Sequence, residues 1–130
     1  MRKVSVGLCY LMLTFAPVAL TARALPATGD ELYTSLKRFT DEVEGHPPDS
    51  TTAQELSATV WSYAFIQGMG DGLLFGALSA HKDASCLNQP SDLALARITM
   101  KYIEEHPQSR AQKTEAVVYE ALVQAYPCVR

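Results

Sequence analysis

The stretch C-L-N-Q-P-S at positions 86 to 91 and the stretch A-L-V-Q-A-Y-P-C at positions 121 to 128 decide the fold of the C-terminal half. Two helix-like segments lie between the two cysteines. The first ends in K-Y-I-E-E-H-P at positions 101 to 107, and the second ends in A-L-V-Q-A-Y-P-C. Because proline cannot continue a helix and disfavours helical backbone just before itself, the H-P pair predicts a turn. An antiparallel helix pair joined there brings Cys86 and Cys128 together. We predict a helical hairpin closed by a disulfide.

A redox-active pair or a metal site would use the same two cysteines, and both alternatives stay open at this point. They are less favoured because the chain has no C-x-x-C spacing and its histidines, His46, His81 and His106, are scattered singly. A disulfide across 42 positions would stabilise the fold by about 4 kcal/mol in the chain-entropy model.

Residues 1 to 24 have the layout of a cleavable secretory signal. A basic start at Arg2 and Lys3 precedes an apolar run from 4 to 20, and A-R-A at 22 to 24 offers small residues for cleavage. The run is short for a bilayer span of about 20 residues, so we expect no stable membrane anchor after cleavage. We expect a soluble periplasmic protein, with residues 25 to 130 forming one domain.

Charge and composition exclude several classes of function. The 130-residue chain has a net charge of −3, and three of its eleven basic residues lie in the leader. The remainder is acidic and lacks the basic stripe that nucleic acids require, so we expect no nucleic-acid partner. No nucleophile-base pair, carboxylate pair or histidine cluster is apparent. We therefore expect no enzyme, no catalytic residues, no metal and no cofactor.

Apolar periodicity predicts an all-α bundle of about four helices. The first covers 30 to 44, with Leu32, Leu36, Phe39 and Val43 on one face. The second covers 52 to 78 and begins with a capping box formed by Thr52 and Glu55. The third follows Ser91 and Asp92 and ends at Glu105, and the fourth covers about 111 to 126. In the second helix we expect Trp61, Tyr63 and Phe65 to be packing residues.

Glycines recur at four-residue intervals in the second helix, at Gly68, Gly72 and Gly76. Each costs about 1 kcal/mol relative to alanine inside a helix. We predict that they form a smooth stripe where another helix approaches closely. The G-M-G-D-G run follows no strand and lacks the P-loop lysine, which argues against phosphate binding.

Four segments in this order resemble the Rap/Tai family of type VI secretion immunity proteins. They are F-I-Q-G-M-G-D-G at 65 to 72, C-L with Pro90, K-Y-I-E-E-H-P at 101 to 107 and A-L-V-Q-A-Y-P-C at 121 to 128. The resemblance covers roughly residues 62 to 128. It departs from the family in one respect, since members commonly carry a second cysteine pair. Here Ser62 occupies one of those positions and the first helix has no cysteine.

The resemblance implies an all-α periplasmic immunity protein, often a homodimer. Such a protein binds a type VI secretion effector, a peptidoglycan amidase, and inhibits it by occluding the active-site groove. We expect the loop containing Ser79, His81, Lys82 and Asp83 to be the effector contact, although an ordinary solvated connection would have the same composition.

Two other functions remain open at the sequence level. One is a periplasmic acid-stress chaperone, which would expose apolar surface when its carboxylates are protonated. The other is an envelope binding domain of the same fold without a toxin partner. Dye binding at low pH separates the chaperone from the immunity protein, and capture of a peptidoglycan hydrolase separates the immunity protein from the envelope domain.

Overall fold

A computed structural model describes residues 25–80 and 90–127 of the chain. Its elements are α1 (Gly29–Val43), α2 (Ala53–Ser79), α3 (Asp92–Glu105), a short 3₁₀ helix (Pro107–Ala111) and α4 (Thr114–Ala125). Within these ranges the only β-type pairing is an isolated bridge between Thr28 and Lys113. The predicted all-α fold with four helices is confirmed.

The helix starts follow the side-chain chemistry of their first residues. The Thr52 hydroxyl accepts a hydrogen bond from the backbone N–H of Glu55 at 3.2 Å. The Glu55 carboxylate in turn accepts one from the N–H of Thr52 at 2.9 Å, which completes the predicted capping box. Ser91 caps α3 in the same manner through the N–H of Ala94.

Glycine and proline residues lie just beyond the ends of two helices. Helix α1 ends at Val43 and the chain turns at Gly45, whose φ of +82° suits a residue without a Cβ. Helix α3 ends at Glu105, directly before His106 and Pro107, as predicted. The predicted start of the fourth helix at 111 is wrong, because the residues after Pro107 form a 3₁₀ turn first and α4 begins at Thr114.

The core lies where α1, α2, α3 and α4 meet. Its fully buried or nearly buried apolar side chains come from every helix: Leu32, Leu36, Ile66, Leu95, Ala96, Ile103, Val117, Val118 and Leu122. Phe39 is partly buried and stacks on Tyr63, with ring centroids 5.2 Å apart. The assignment of Val43 to this face is wrong. Val43 is 55% exposed because it is the last residue of α1, beyond the buried part of the bundle.

Residues 25–28, here called the N-terminal strap, cross the turn that precedes α4. The Thr114 hydroxyl donates to the carbonyl of Pro26 at 2.7 Å, and the Thr114 N–H donates to the carbonyl of Ala27 at 3.3 Å. The N–H of Gly29 donates to the carbonyl of Gln112 at 3.0 Å. These bonds join the N-terminal strap to the segment at which α4 begins.

Two of the sequence-based predictions lie outside the described residues. Cys86 and Cys128 are both there, so the disulfide stays a prediction, and so does the leader at 1–24. None of the helices in 25–80 and 90–127 combines the length with the apolar character that a membrane crossing requires.

Candidate protein-interaction surfaces

Only one residue of the predicted effector-contact loop is described. Ser79 is the last residue of α2 and is exposed. His81, Lys82 and Asp83 lie outside the described residues, between Ala80 at the end of α2 and Pro90 at the approach to α3. The contact loop therefore stays a prediction.

A cleft of about 280 Å³ lies between α2 and α3. Its lining includes Gly70, Asp71, Pro90, Asp92 and Leu95. A hydrogen bond from Tyr63 to the Asp92 carboxylate raises the pKa of the tyrosine, so Asp92 already serves to join α2 to α3. In the described ranges, no three His, Cys, Asp or Glu side chains cluster in a way that would hold a metal ion. Because Asp92 joins α2 to α3 through Tyr63, we interpret the cleft as a helix junction.

The glycine stripe faces away from the other described helices. A Cβ built on Gly68, Gly72 or Gly76 meets nothing within 4 Å. The close approach between α2 and α3 occurs instead at Gly70, where a Cβ would lie 3.5 Å from the Leu95 side chain. The glycines differ in their position around the helix axis. Gly70 lies on the inward face of α2 together with the buried Ser62 and Ile66.

Large apolar side chains flank this stripe on the outside of α2. Trp61 is 50% exposed and Phe75 is 74% exposed. With Ala64, Gly68 and Gly72, which are also exposed, they form what we call the α2 outer face. The prediction that Trp61 is a packing residue is not met within the described chain. Sequence periodicity did not separate it from Tyr63 and Phe65, because α2 is apolar on every side.

The charged surface is acidic because most of its described basic side chains are paired. Three of the ion pairs among the described residues join separate elements: Arg38 to Glu55 at 2.8 Å, Arg97 to Glu44 at 2.5 Å and Arg110 to Asp30 at 2.6 Å. Lys37 and Lys101 pair within their own helices, with Asp41 and Glu105. Carboxylates such as Glu42, Asp49 and Glu115 have no ion-pair partner among the described residues and face the solvent.

Hydrogen bonds from tyrosine hydroxyls to carboxylates also link separate helices. Tyr33 donates to the Glu104 carboxylate at 2.7 Å, and Arg110 lies 5.0 Å above the Tyr33 ring. Tyr102 donates to Glu120, and burial together with this bond raises the Tyr102 pKa to about 12. His106, which we expected at a helix end, caps α3 and stacks on Tyr102 with centroids 4.2 Å apart. These groups are engaged in holding α1, α3 and α4 together.

The described chain is a small acidic helical domain with an apolar face on α2 that no described element covers. The family model of the Rap1a immunity proteins matches residues 28–128, which includes all four helices. The chain belongs to this family, and the Rap/Tai resemblance is confirmed. No curated protein and no solved structure matches the chain. Membership in an immunity family implies that the protein binds an effector protein as its partner.

Proposed function

We propose that the protein is a periplasmic immunity protein that binds a type VI secretion effector with peptidoglycan amidase activity. It would inhibit the effector by occluding the active-site groove. The observation that carries the proposal is the family match over residues 28–128. The amidase target, the secretion system and the periplasmic site go beyond that match and form the proposed part.

A preorganised scaffold supports inhibition by occlusion. Ordering a mobile surface on binding costs affinity, so an inhibitor gains from a surface that is fixed beforehand. The N-terminal strap is fastened to α4 through Thr114, and three ion pairs bridge separate elements. Individually such exposed pairs contribute little, but together with the core they hold the helices that flank the proposed contact in one arrangement.

The charge distribution supports a partner with a basic surface. Because the described arginines are paired with carboxylates, the unpaired charge that remains on the described surface is mostly negative. Complementary charge speeds the encounter of two proteins and disfavours wrong partners more than it raises affinity. We therefore expect association with the effector to slow as salt concentration rises.

The contact element in this proposal is the loop of Ser79, His81, Lys82 and Asp83. Two described features support it. Ser79 lies exposed at the end of a 27-residue helix, and Pro90 and Ser91 begin the next rigid element. A polar segment held between two fixed helices can enter a groove with a low ordering cost.

The leader supports the periplasmic site. Residues 1 to 24 have a basic start, an apolar run and an A-R-A sequence, which is the layout of a secretory signal. Cleavage after residue 24 would leave the strap intact, since its hydrogen bonds start at Pro26.

Capture followed by an enzyme assay tests the proposal. The chain starting at Leu25 is immobilised and exposed to secreted and periplasmic proteins of the source cells, and each captured protein is assayed for peptidoglycan hydrolysis. We expect an amidase whose activity falls in proportion to the added chain and vanishes at equal amounts. Capture of no hydrolase, or of one whose activity persists at saturation, would overturn the amidase proposal.

A triple variant tests the loop. His81→Ala, Lys82→Ala and Asp83→Ala together should weaken inhibition about a hundredfold or more, as for a central contact. Glu42→Ala and Glu115→Ala, both exposed on helices, form the control and should slow association only modestly. Unchanged inhibition by the triple variant would remove the loop from the mechanism.

A further inference from the structure

Helix α2 has an apolar side that no described element covers. Trp61 is 50% exposed there, and Phe75, at 74%, is the most exposed large apolar side chain among the described residues. A helix that is apolar on every side is ordinarily buried on every side. Contiguous exposed apolar surface on a folded protein commonly marks an interaction site. The α2 outer face therefore has the character of a contact surface.

The α2 outer face has the shape of a saddle. Trp61 and Phe75 are fourteen residues apart, just under four helical turns, so they stand on one side of α2 about 21 Å apart along the axis. Between them lie the exposed Ala64, Gly68 and Gly72. A Cβ built on either glycine meets no atom of the described chain within 4 Å. Two large rings thus border a low floor.

The width of the saddle suits one α-helix. A helix with its side chains is about 10–12 Å across, and the two rings occupy part of the distance between their Cα atoms. A helix that crosses α2 over Gly68 therefore fits between them. Because the glycines have no side chains, the two backbones can come close and gain dispersion contacts. The shape favours a helix as the element that lies on this surface.

The charges of α2 limit the chemistry of a partner. Glu55 and Asp71 are the only charged residues of this helix, which has no Lys, Arg or His. Asp71 is exposed at the edge of the saddle and has no ion-pair partner within 25–80 and 90–127. An apolar segment with a basic residue opposite Asp71 complements this surface. A lipid surface is disfavoured, because helices that lie on membranes are rich in Lys and Arg.

The α2 outer face is continuous with the position of the proposed effector contact. Phe75 lies one turn before the exposed Ser79, about 6 Å along the helix. Leu78, directly before Ser79, is 57% exposed. A protein that contacts Ser79 therefore meets Phe75 as well. Since membership in the immunity family implies an effector protein as partner, the effector is the molecule that can cover this side of α2.

We infer that the α2 outer face is a second contact for the effector, on which an apolar helix of the effector crosses α2 over Gly68, between Trp61 and Phe75. A basic residue of that helix pairs with Asp71. That the partner is an effector rests on the proposed function, whereas the position of the contact rests on the exposed rings and the open glycines.

The two rings supply the central part of such an interface. A buried aromatic side chain covers about 150–250 Å², so the exposed parts of Trp61 and Phe75 amount to roughly 250 Å². A stable complex buries about 800 Å² per partner, and the surface around Ser79 and the rim of the saddle supply the remainder. Tryptophan is enriched among the residues whose truncation weakens binding most. Trp61 and Phe75 therefore act as anchors.

Cross-linking at single positions tests the inference. In the full chain, produced in its source cells, Trp61, Phe75 and Tyr119 are replaced one at a time by the photo-cross-linking residue benzoylphenylalanine. Tyr119 is the matched control, because it is an aromatic residue on α4 with the same 50% exposure as Trp61. After illumination we expect positions 61 and 75 to be joined to one apolar helix of the same effector protein. Position 119 should give no such product.

Substitutions in the floor of the saddle test the crossing, with the purified protein that is cross-linked at position 61 as the probe. Gly68→Leu should raise its dissociation constant about a hundredfold, because a bulky side chain holds the partner helix away from α2. Gly76→Leu is the control, since it is the same change at an equally open glycine beyond Phe75, and should change the constant less than about threefold. Asp71→Asn should slow association and weaken its dependence on salt.

The results separate this inference from the proposed function. A protein that is cross-linked at positions 61 and 75 but has no amidase activity would support the α2 contact and contradict the amidase proposal. A product from position 79, replaced in the same way, with none from 61 or 75 would overturn the inference and leave the immunity function standing. Products that join position 61 to a second copy of the chain or to lipid would overturn it, and so would unchanged binding by Gly68→Leu.

Discussion

Gly29 and the carbonyl of Ser109 lie so close that a Cβ at position 29 would be 2.3 Å from the carbonyl oxygen. The contact occurs where the N-terminal strap enters α1, and Gly29 also donates its N–H to Gln112. Neither backbone segment can shift easily to make room, since the strap is hydrogen-bonded to Thr114 and Ser109 is buried. Glycine at this position is therefore required where the N-terminal strap and α1 meet the 3₁₀ helix.

Gly29→Ala should lower the free energy of unfolding by about 1–3 kcal/mol, because overpacking forces a backbone shift. Gly76→Ala is the control, since it adds the same methyl group in open space within a helix and should raise stability by up to about 1 kcal/mol. Urea unfolding of both variants measures the difference. Equal effects of the two substitutions would contradict the close contact at Gly29.

Glu55 should make stability depend on pH in the acid range. Hydrogen bonds from Arg38 and then from the backbone and hydroxyl of Thr52 lower its pKa to about 2. Because the folded pKa lies below the unfolded value of about 4.3, the stabilisation is fully present above the unfolded value. It is lost as the pH falls from there through about 2.

The measurement compares Glu55→Gln with the parent chain across that range. The parent should have the higher free energy of unfolding at pH 7. The difference between the two proteins, here called the gap, should close near pH 2. In an Arg38→Gln background the gap should be smaller at neutral pH, because the largest cause of the pKa shift is then absent. A gap of the same size at pH 7 and pH 2 would show that the Glu55 charge does not stabilise the fold.

Ile66 and Leu56 should respond differently to truncation although both lie on α2. Ile66 is fully buried in the core and Leu56 is 48% exposed. Ile66→Ala should cost about 2–5 kcal/mol of unfolding free energy, through lost burial and the cavity that remains. Leu56→Ala should cost well under about 1 kcal/mol, because the side chain is already about half exposed. Similar losses of unfolding free energy from the two substitutions would mean that α2 is oriented differently in the bundle.

Much of this fold could be predicted from the sequence, because local signals determine where helices start and end. Thr52 with Glu55, Ser91, and the His106-Pro107 pair each act within one helical turn. The start of α4 could not be predicted as well, since the 3₁₀ turn after Pro107 has no strong periodic signal.

Long-range contacts explain the remaining differences. Spacing shows which residues share a face, but it does not show whether another element covers that face. For this reason Val43 and Trp61, both expected to pack, are about half exposed. The pairing of Gly29 with Ser109 joins positions eighty apart, and no local pattern signals it. The α2 outer face was the least predictable part, because Gly68 and Gly70 differ only in their position around the axis of one helix.

The predicted bond between Cys86 and Cys128 can be measured directly. The chain starting at Leu25 should contain no free thiol until it is reduced. Reduction should then lower the unfolding free energy by about 4 kcal/mol, because the closed loop restricts the unfolded chain. A Cys86→Ser, Cys128→Ser variant should match the reduced protein in stability. Two thiols that react in the unreduced protein would rule out the disulfide.

Protection of living cells tests the central claim most directly. Cells that direct the captured amidase to their periplasm are supplied with either the full chain or a chain that starts with Met followed by Leu25, and lysis is followed over time. We predict survival with the full chain and lysis with the chain that lacks the leader, because immunity would require both binding and export. Lysis in both cases, with the two chains present in equal amounts, would contradict the proposed function.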